Sequence, residues 1–256
     1  MPSALLRSLP PAWAPPPEDL VLVADEVHVW RADLDALDEA QVERLAGTLA
    51  PDERARAASF VFTPDRRRFT VGRAALRSVL ARYLAVDVGA VCLGRTAAGQ
   101  PTLSGPLAGA LAFSVSRSAG VALCAVAIGR HVGVDVERIM RGVVEDVAHD
   151  GILSPAELRG LRALEPAARE RAFFTVWTRK EAYAKARGLG LSLPFEQFTV
   201  SVDPAVPALV AAADDDPARW TLRDLDAGPG YAAALAIEGR IARMPTWSWT
   251  AALSAG

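Results

Sequence analysis

Apolar and polar positions alternate most clearly from Leu20, where "LVLVADEVHVWRADL" sets valines against His28 and Trp30 and predicts a strand. His28 then reads as a satisfied strand residue, not a ligand. Two helical stretches follow, over 36–49 and 51–60. Thr63-Pro64 opens a longer helix, with Thr63 as N-cap and proline in the first turn. That helix is apolar at Phe69, Leu76, Val79, Leu80 and Tyr83, while Arg66, Arg67, Arg68, Arg73 and Arg77 crowd its early turns. After a turn at "AAGQP", the runs "ALAFSVSRS" and "VALCAVAIG" predict neighbouring antiparallel strands, and "HVGVDVERI" another.

The second half repeats this style. Ser154-Pro155-Ala156-Glu157 has the form of a capping box and predicts a helix over 154–164. A long helix spans 166–187 and ends at Gly188, and "SLPFEQFTVSVD", "RWTLRDLD" and "YAAALAIEG" read as strands. Helices followed by strands, twice over, predict an α+β protein of two similar halves, 19–130 and 131–245. They are flanked by a proline-rich tail or strap over 1–18 and a C-terminal tail over 246–256.

Composition narrows the function classes. The 256 residues carry a formal net charge of −2, so no bulk excess of positive charge points to nucleic acid or an anionic membrane. Any anion site must be local. No apolar run approaches the ~20 residues that span a bilayer, and no basic start precedes an apolar core, so a cytoplasmic protein is expected. Cys92 and Cys124 sit in apolar runs at a spacing that fits neither a zinc site nor a disulfide framework, and are expected to be core residues.

The chemistry concentrates in two places. In "GVDVE", Asp135 and Glu137 project from one face of a strand while Val134 and Val136 take the other. Two like charges between apolar neighbours demand a counter-charge: Arg130, Arg138, Lys180 or a metal. On the long helix, Trp177, Glu181 and Lys185 are four apart and share a face. Glu181 and Lys185 could form only a helix ion pair, worth about 0.2–0.5 kcal/mol. A third carboxylate facing Asp135 and Glu137 would instead complete an all-oxygen site of the kind Mg²⁺ prefers, beside a lysine able to hold a phosphate.

"GVDVE" at 133–137 followed by "WTRKEAYAKARGLGLSLP" at 177–194 resembles the signature pair of the 4′-phosphopantetheinyl transferases, in particular the longer surfactin-synthetase type built from two halves. "PDERARAASFVF" with its arginine-rich helix, "GQP", "FSVSRS" and "SPAEL" fall in family order, so the likeness spans roughly 20–238. The resemblance implies transfer of the phosphopantetheine arm of coenzyme A to a serine of an acyl, peptidyl or aryl carrier protein, with release of 3′,5′-ADP. It implies Asp135, Glu137 and Glu181 as ligands of Mg²⁺, or Mn²⁺ in its place. Lys185 would act on the leaving phosphate, and either Glu181 or a metal-bound water would take the serine proton. It further places Arg56, Arg68, Gln100, Pro101, Ser116, Arg117, Lys180 and Lys185 around coenzyme A. Arg117 stands for the usual histidine, Ser114 for asparagine, and Gln100 and Glu53 for frequently basic residues. A monomer is expected, since two halves already enclose one cleft. A coenzyme A-binding relative without turnover and an unrelated Mg²⁺-dependent phosphohydrolase are the alternative readings.

Overall fold

The computed structural model of the chain describes residues 13–142 and 151–254. Residues 1–12 of the expected proline-rich tail lie outside the described residues. The first half runs β1 (His28–Asp33), α1 (Glu39–Ala46), α2 (Pro51–Ala58), α3 (Thr63–Leu84), a small hairpin of β2 (Leu93–Arg95) and β3 (Pro101–Leu103), then β4 (Ala112–Ser118) and β5 (Val121–Ala127). The second runs β6 (Val132–Arg138), α4 (Pro155–Arg162), α5 (Pro166–Ala186), a small hairpin of β7 (Phe198–Val200) and β8 (Leu209–Ala212), then β9 (Trp220–Asp224) and β10 (Tyr231–Glu238).

The two halves share one wiring. In each, the last strand lies between the first and the one before the last, giving β1-β5-β4 and β6-β10-β9. The expected α+β architecture of two similar halves is therefore the architecture found. Alternation decides the layers. Val29, Leu123 and Ala125 of the first sheet meet Val132, Val134, Val136, Leu235 and Ile237 of the second in one inter-sheet core. The opposite faces are covered by helices: α3 lies on Trp30, Ala122 and Cys124, and α5 on Ala232, Ala234 and Ala236.

Local chemistry sets the helix starts. Asp38 and Gln41 form a reciprocal capping box on α1, and Ser154 and Glu157 do the same on α4. At α3 the expectation is off by one residue, because Phe62 is the N-cap and Thr63-Pro64 lie inside the first turn. Three other expectations change. The strand expected from Leu20 begins only at His28, and that expected over 192–203 shrinks to Phe198–Val200, with short 3-10 turns before it. Cys92 is exposed, since it precedes the short edge hairpin, whereas Cys124 is buried under α3.

The fourth change concerns the C-terminus. Residues expected as a tail form β11 (Thr246–Ser248), which pairs parallel with β1 and makes the first sheet four-stranded. Beyond it Trp249 is buried and the Leu253 carbonyl accepts from Ser78 Oγ of α3 at 3.0 Å. Apolar side chains drive this: "TWSW" brings Trp249 into the first-half core and Trp247 against it. The strap begins at Trp13, whose indole N–H donates to the Asp226 carbonyl at 2.6 Å, while Ala14 bridges to Trp247.

Candidate active site

The free edges of the two sheets meet where β4 runs beside β6, and side chains replace a backbone ladder there. Serines at every second position of β4 face β6. Ser114 Oγ accepts from the Val134 amide at 3.1 Å, Ser116 Oγ donates to Asp135 Oδ1 at 2.7 Å, and Ser118 Oγ donates to Glu137 Oε2 at 2.7 Å. The seam thus fixes both carboxylates. Their companions Val132, Val134 and Val136 are buried in the inter-sheet core, which leaves Gly133, Asp135 and Glu137 on the face that α5 covers.

Gly133 determines how near α5 comes. A Cβ at this position would lie 1.9 Å from the Ala182 carbonyl oxygen and 2.6 Å from the Ala186 amide nitrogen. Those residues flank Lys185 and follow Glu181, so the missing side chain lets the reactive turn of α5 press against β6. Lys185 Nζ reaches Asp135 Oδ1 at 2.6 Å and donates to the Val134 carbonyl at 3.2 Å. The counter-charge of Asp135 is therefore Lys185, correcting the sequence candidates Arg130, Arg138 and Lys180. The Arg130 guanidinium donates instead to the carbonyls of Glu26 and Arg240.

Three acids lie within electrostatic reach of one another. Burial, then the charge of Asp135 and against the opposing pull of Lys185, raises the Glu181 carboxyl above the usual carboxylate range, with Glu137 adding to it. Glu137 is likewise raised, first by burial and then by Asp135, against the Ser118 hydrogen bond and Lys185. Asp135 Oδ2 is buried and has no hydrogen-bond partner among the described residues. Such an atom is costly in an apolar setting unless a cation completes it. Side chains of Asp, Glu, His and Cys do not close a ready-made metal cage among the described residues. What is present is a hard-oxygen donor set with one orphaned buried lone pair and mutual repulsion, the chemistry that a divalent cation satisfies.

Arginines line the floor of the adjoining cleft. A cavity of about 340 Å³ is bordered by Arg56, Arg73, Arg95, Pro101, Ser116 and Arg117, among others. Ser116 and Arg117 diverge from β4, one toward Asp135 and the other toward α3. Of the residues expected around coenzyme A, Arg56, Pro101, Ser116 and Arg117 share this cavity, and Lys185 is linked to it through Asp135, the partner of the lining Ser116. The other three lie apart from it. Arg68 is held at the surface by a bidentate pair with Asp35, at 2.8 and 2.7 Å. The Gln100 amide donates to the Lys185 carbonyl at 3.3 Å and caps the end of α5. Lys180 is fully buried away from the cleft, donating to both Glu157 carboxylate oxygens at 2.9 and 2.8 Å and to the Phe198 carbonyl at 2.6 Å. A lysine a quarter-turn from Glu181 points into the helix–hairpin core, so it cannot also reach the phosphates.

Sequence reasoning missed Arg73 and Arg95 as cavity residues, and Ser118 as the Glu137 anchor. Ser118 was legible in the S-x-S-x-S period of "FSVSRS"; Arg73 was one arginine among five. Glu53 forms a buried pair with Arg77 at 2.6 Å, so its place at a frequently basic position is structural. The glycine pair terminates α5: Gly188 and Gly190 have φ of +69° and +55°, and a Cβ on Gly190 would lie 3.4 Å from Ala98 of the β2–β3 turn.

Two family models match the chain. A family model described as "4′-phosphopantetheinyl transferase, N-terminal" matches residues 37–128, and the "4′-phosphopantetheinyl transferase superfamily" model matches 131–236. The 4′-phosphopantetheinyl transferase HetI of Nostoc sp. is 40% identical over 229 residues, 89% of this chain and 94% of the relative. The chain belongs to the 4′-phosphopantetheinyl transferase superfamily. The transferase Sfp of Bacillus subtilis is 24% identical over 199 residues, 78% of this chain and 86% of its own. A holo-(acyl-carrier-protein) synthase from Bacillus anthracis, solved with CoA (3′,5′-ADP), covers 43% of this phosphopantetheinyl transferase and 96% of its own chain, at 21% identity and a TM-score of 0.36. Among the described residues no helix is long and apolar enough to cross a membrane.

Proposed function

We propose that this transferase moves the 4′-phosphopantetheine arm of coenzyme A onto a serine hydroxyl of an acyl, peptidyl or aryl carrier protein and releases 3′,5′-ADP. The observation that carries the reading is the convergence of Asp135, Glu137 and Glu181 from β6 and α5 beside an arginine-lined cavity, with Asp135 Oδ2 buried and unsatisfied. Asp135, Glu137 and Glu181 would hold Mg²⁺, which when bound neutralises and polarises the diphosphate.

The chain's own residues do the rest. Ser116 and Ser118 keep Asp135 and Glu137 in fixed rotamers. The new bond joins the serine oxygen to the phosphorus that carries pantetheine, and the bond from that phosphorus to the bridging oxygen breaks. The bridging oxygen leaves with 3′,5′-ADP. Lys185, a cation at the diphosphate end of the cleft, opposes the negative charge that builds on it. Glu181 is the acid with no side-chain hydrogen bond among the described residues, and it takes the serine proton. The arginines bind and orient the nucleotide, since guanidinium grips phosphate oxygens two at a time.

Asp135→Ala or Glu181→Ala should cut transfer by about 100- to 1,000-fold while leaving the far-ultraviolet circular dichroism unchanged, a loss in the range seen when an electrostatic stabiliser is removed. Incubation with coenzyme A, Mg²⁺ and an apo carrier domain, read as the mass gained by the carrier, measures it. Wild-type rates in either variant would defeat the reading.

A further inference from the structure

Two arginines that line the cavity rest on a single ring. The guanidinium carbons of Arg117, on β4, and Arg73, on α3, lie 5.3 and 5.8 Å from the ring centroid of Phe69. Phe69 packs at 5.3 Å, tilted, against Phe60, and Arg56 lies 5.1 Å over the Phe60 ring. Three cations bordering one cavity are thus strung along two aromatic side chains. Little acid is at hand to neutralise them: Arg73 reaches Glu53 only at 3.5 Å while Arg77 holds it at 2.6 Å, and Arg117 enters no ion pair among the described residues. Desolvation, then the charges of Arg73 and Arg56, draws the Arg117 pKa below the ordinary guanidinium range. Left to themselves such cations would swing apart into solvent. The negative face of an aromatic ring attracts them and holds them in place before any anion arrives.

The inference rests on the transferase reading in one respect, the identity of the nucleotide. Coenzyme A carries two anionic groups, a diphosphate and a 3′-phosphomonoester. If the diphosphate sits at the Asp135 end, the arginine end is left for the monoester. We propose that Phe69 is a positioning residue whose ring holds Arg73 and Arg117 spread as a receptor for the 3′-phosphate, so that preference for the 3′-phosphorylated nucleotide depends on the ring. A role as core filler alone makes a different forecast, because Phe69 is also buried in the first-half core.

Calorimetric binding of 3′,5′-ADP and of 5′-AMP to the full chain separates the two. Wild type should prefer 3′,5′-ADP. Phe69→Leu should shrink that preference about five- to tenfold, the sum of two cation–ring attractions, with 5′-AMP affinity unchanged within about twofold. Phe69→Tyr, which keeps the ring, should retain the preference, and Phe69→Met, a second apolar variant of matched bulk, should lose it as Leu does. In steady-state transfer the KM for coenzyme A should rise by the same factor with kcat unchanged. Equal losses for both nucleotides, an intact preference in the Leu and Met variants, or a Tyr variant as impaired as Leu would each overturn the proposal. Wild type without a 3′-phosphate preference overturns it as well. A wild type that shows the preference yet modifies no carrier instead sinks the transferase reading and leaves the receptor standing.

Discussion

The buried cations and anions of this chain divide by what surrounds them. Lys185 is partly exposed beside Asp135, whereas Lys180 and Glu157 are completely enclosed. Glu157 also accepts from the amides of Ser154 and Val200, at 2.7 Å each, so one carboxylate joins the start of α4, the middle of α5 and β7. Burial draws the Lys180 pKa down, against the pull of Glu157. Removing one partner leaves the other as an uncompensated buried charge, so Lys180→Met should destabilise the fold by about 3–5 kcal/mol in urea unfolding. Stability within about 1 kcal/mol of wild type would show that the pair is dispensable. The distinction between the two lysines was not legible in the sequence. Spacing puts Lys180 a quarter-turn from Glu181, but only the packing of β7 and α4 decides that this quarter-turn faces the interior. The partners of Arg68 and Gln100, Asp35 and the Lys185 carbonyl, were not legible for the same reason, since they come from distant segments. The acids of "GVDVE" were legible because a strand's two-residue period leaves no other arrangement.

Among the elements, β6 and α5 carry the chemistry, and their closeness depends on one absent methyl group. In a Gly133→Ala variant the new Cβ meets backbone atoms of α5, which cannot rotate away as a side chain would. The helix must move, taking Glu181 and Lys185 from Asp135. We expect the substitution to cost about 3 kcal/mol of stability, at the upper end of overpacking effects, and to reduce transfer by at least ~100-fold, because misplacement by an ångström costs about that much. Denaturant unfolding and the carrier mass assay measure the two losses, and an unimpaired variant would contradict the close approach. The Asp38 cap of α1 lies inside a stretch read as helical from residue 36, whereas the start of α4 at Ser154 was legible from sequence, because the capping box is local chemistry. The start of α3 was not, because its N-cap is Phe62, whose side chain makes no cap.

At the scale of the whole molecule, two halves of the same wiring are closed by a C-terminus that returns to the first. The sequence read residues 246–256 as a tail, since a three-residue parallel edge strand is too short to leave a periodic signal. Deleting the chain from Pro245 onward would uncover the edge of β1 and the site of buried Trp249. A loss of at least ~3 kcal/mol is expected by chemical unfolding, comparable to removing a buried tryptophan, and an unchanged unfolding curve would show the strand to be decorative. The larger consequence of the architecture is that the acids come from different elements of the second half while the serines and the arginine-lined cavity belong to the first, so acids and arginines come together only when both halves are packed. The most direct test is a crystal of the full chain grown with coenzyme A and Mn²⁺ and measured at the manganese edge. A single anomalous peak within ligand distance of Asp135 Oδ2, Glu137 and Glu181 and of the diphosphate is expected; a peak elsewhere, or Glu181 turned away from an otherwise occupied cleft, would contradict the account.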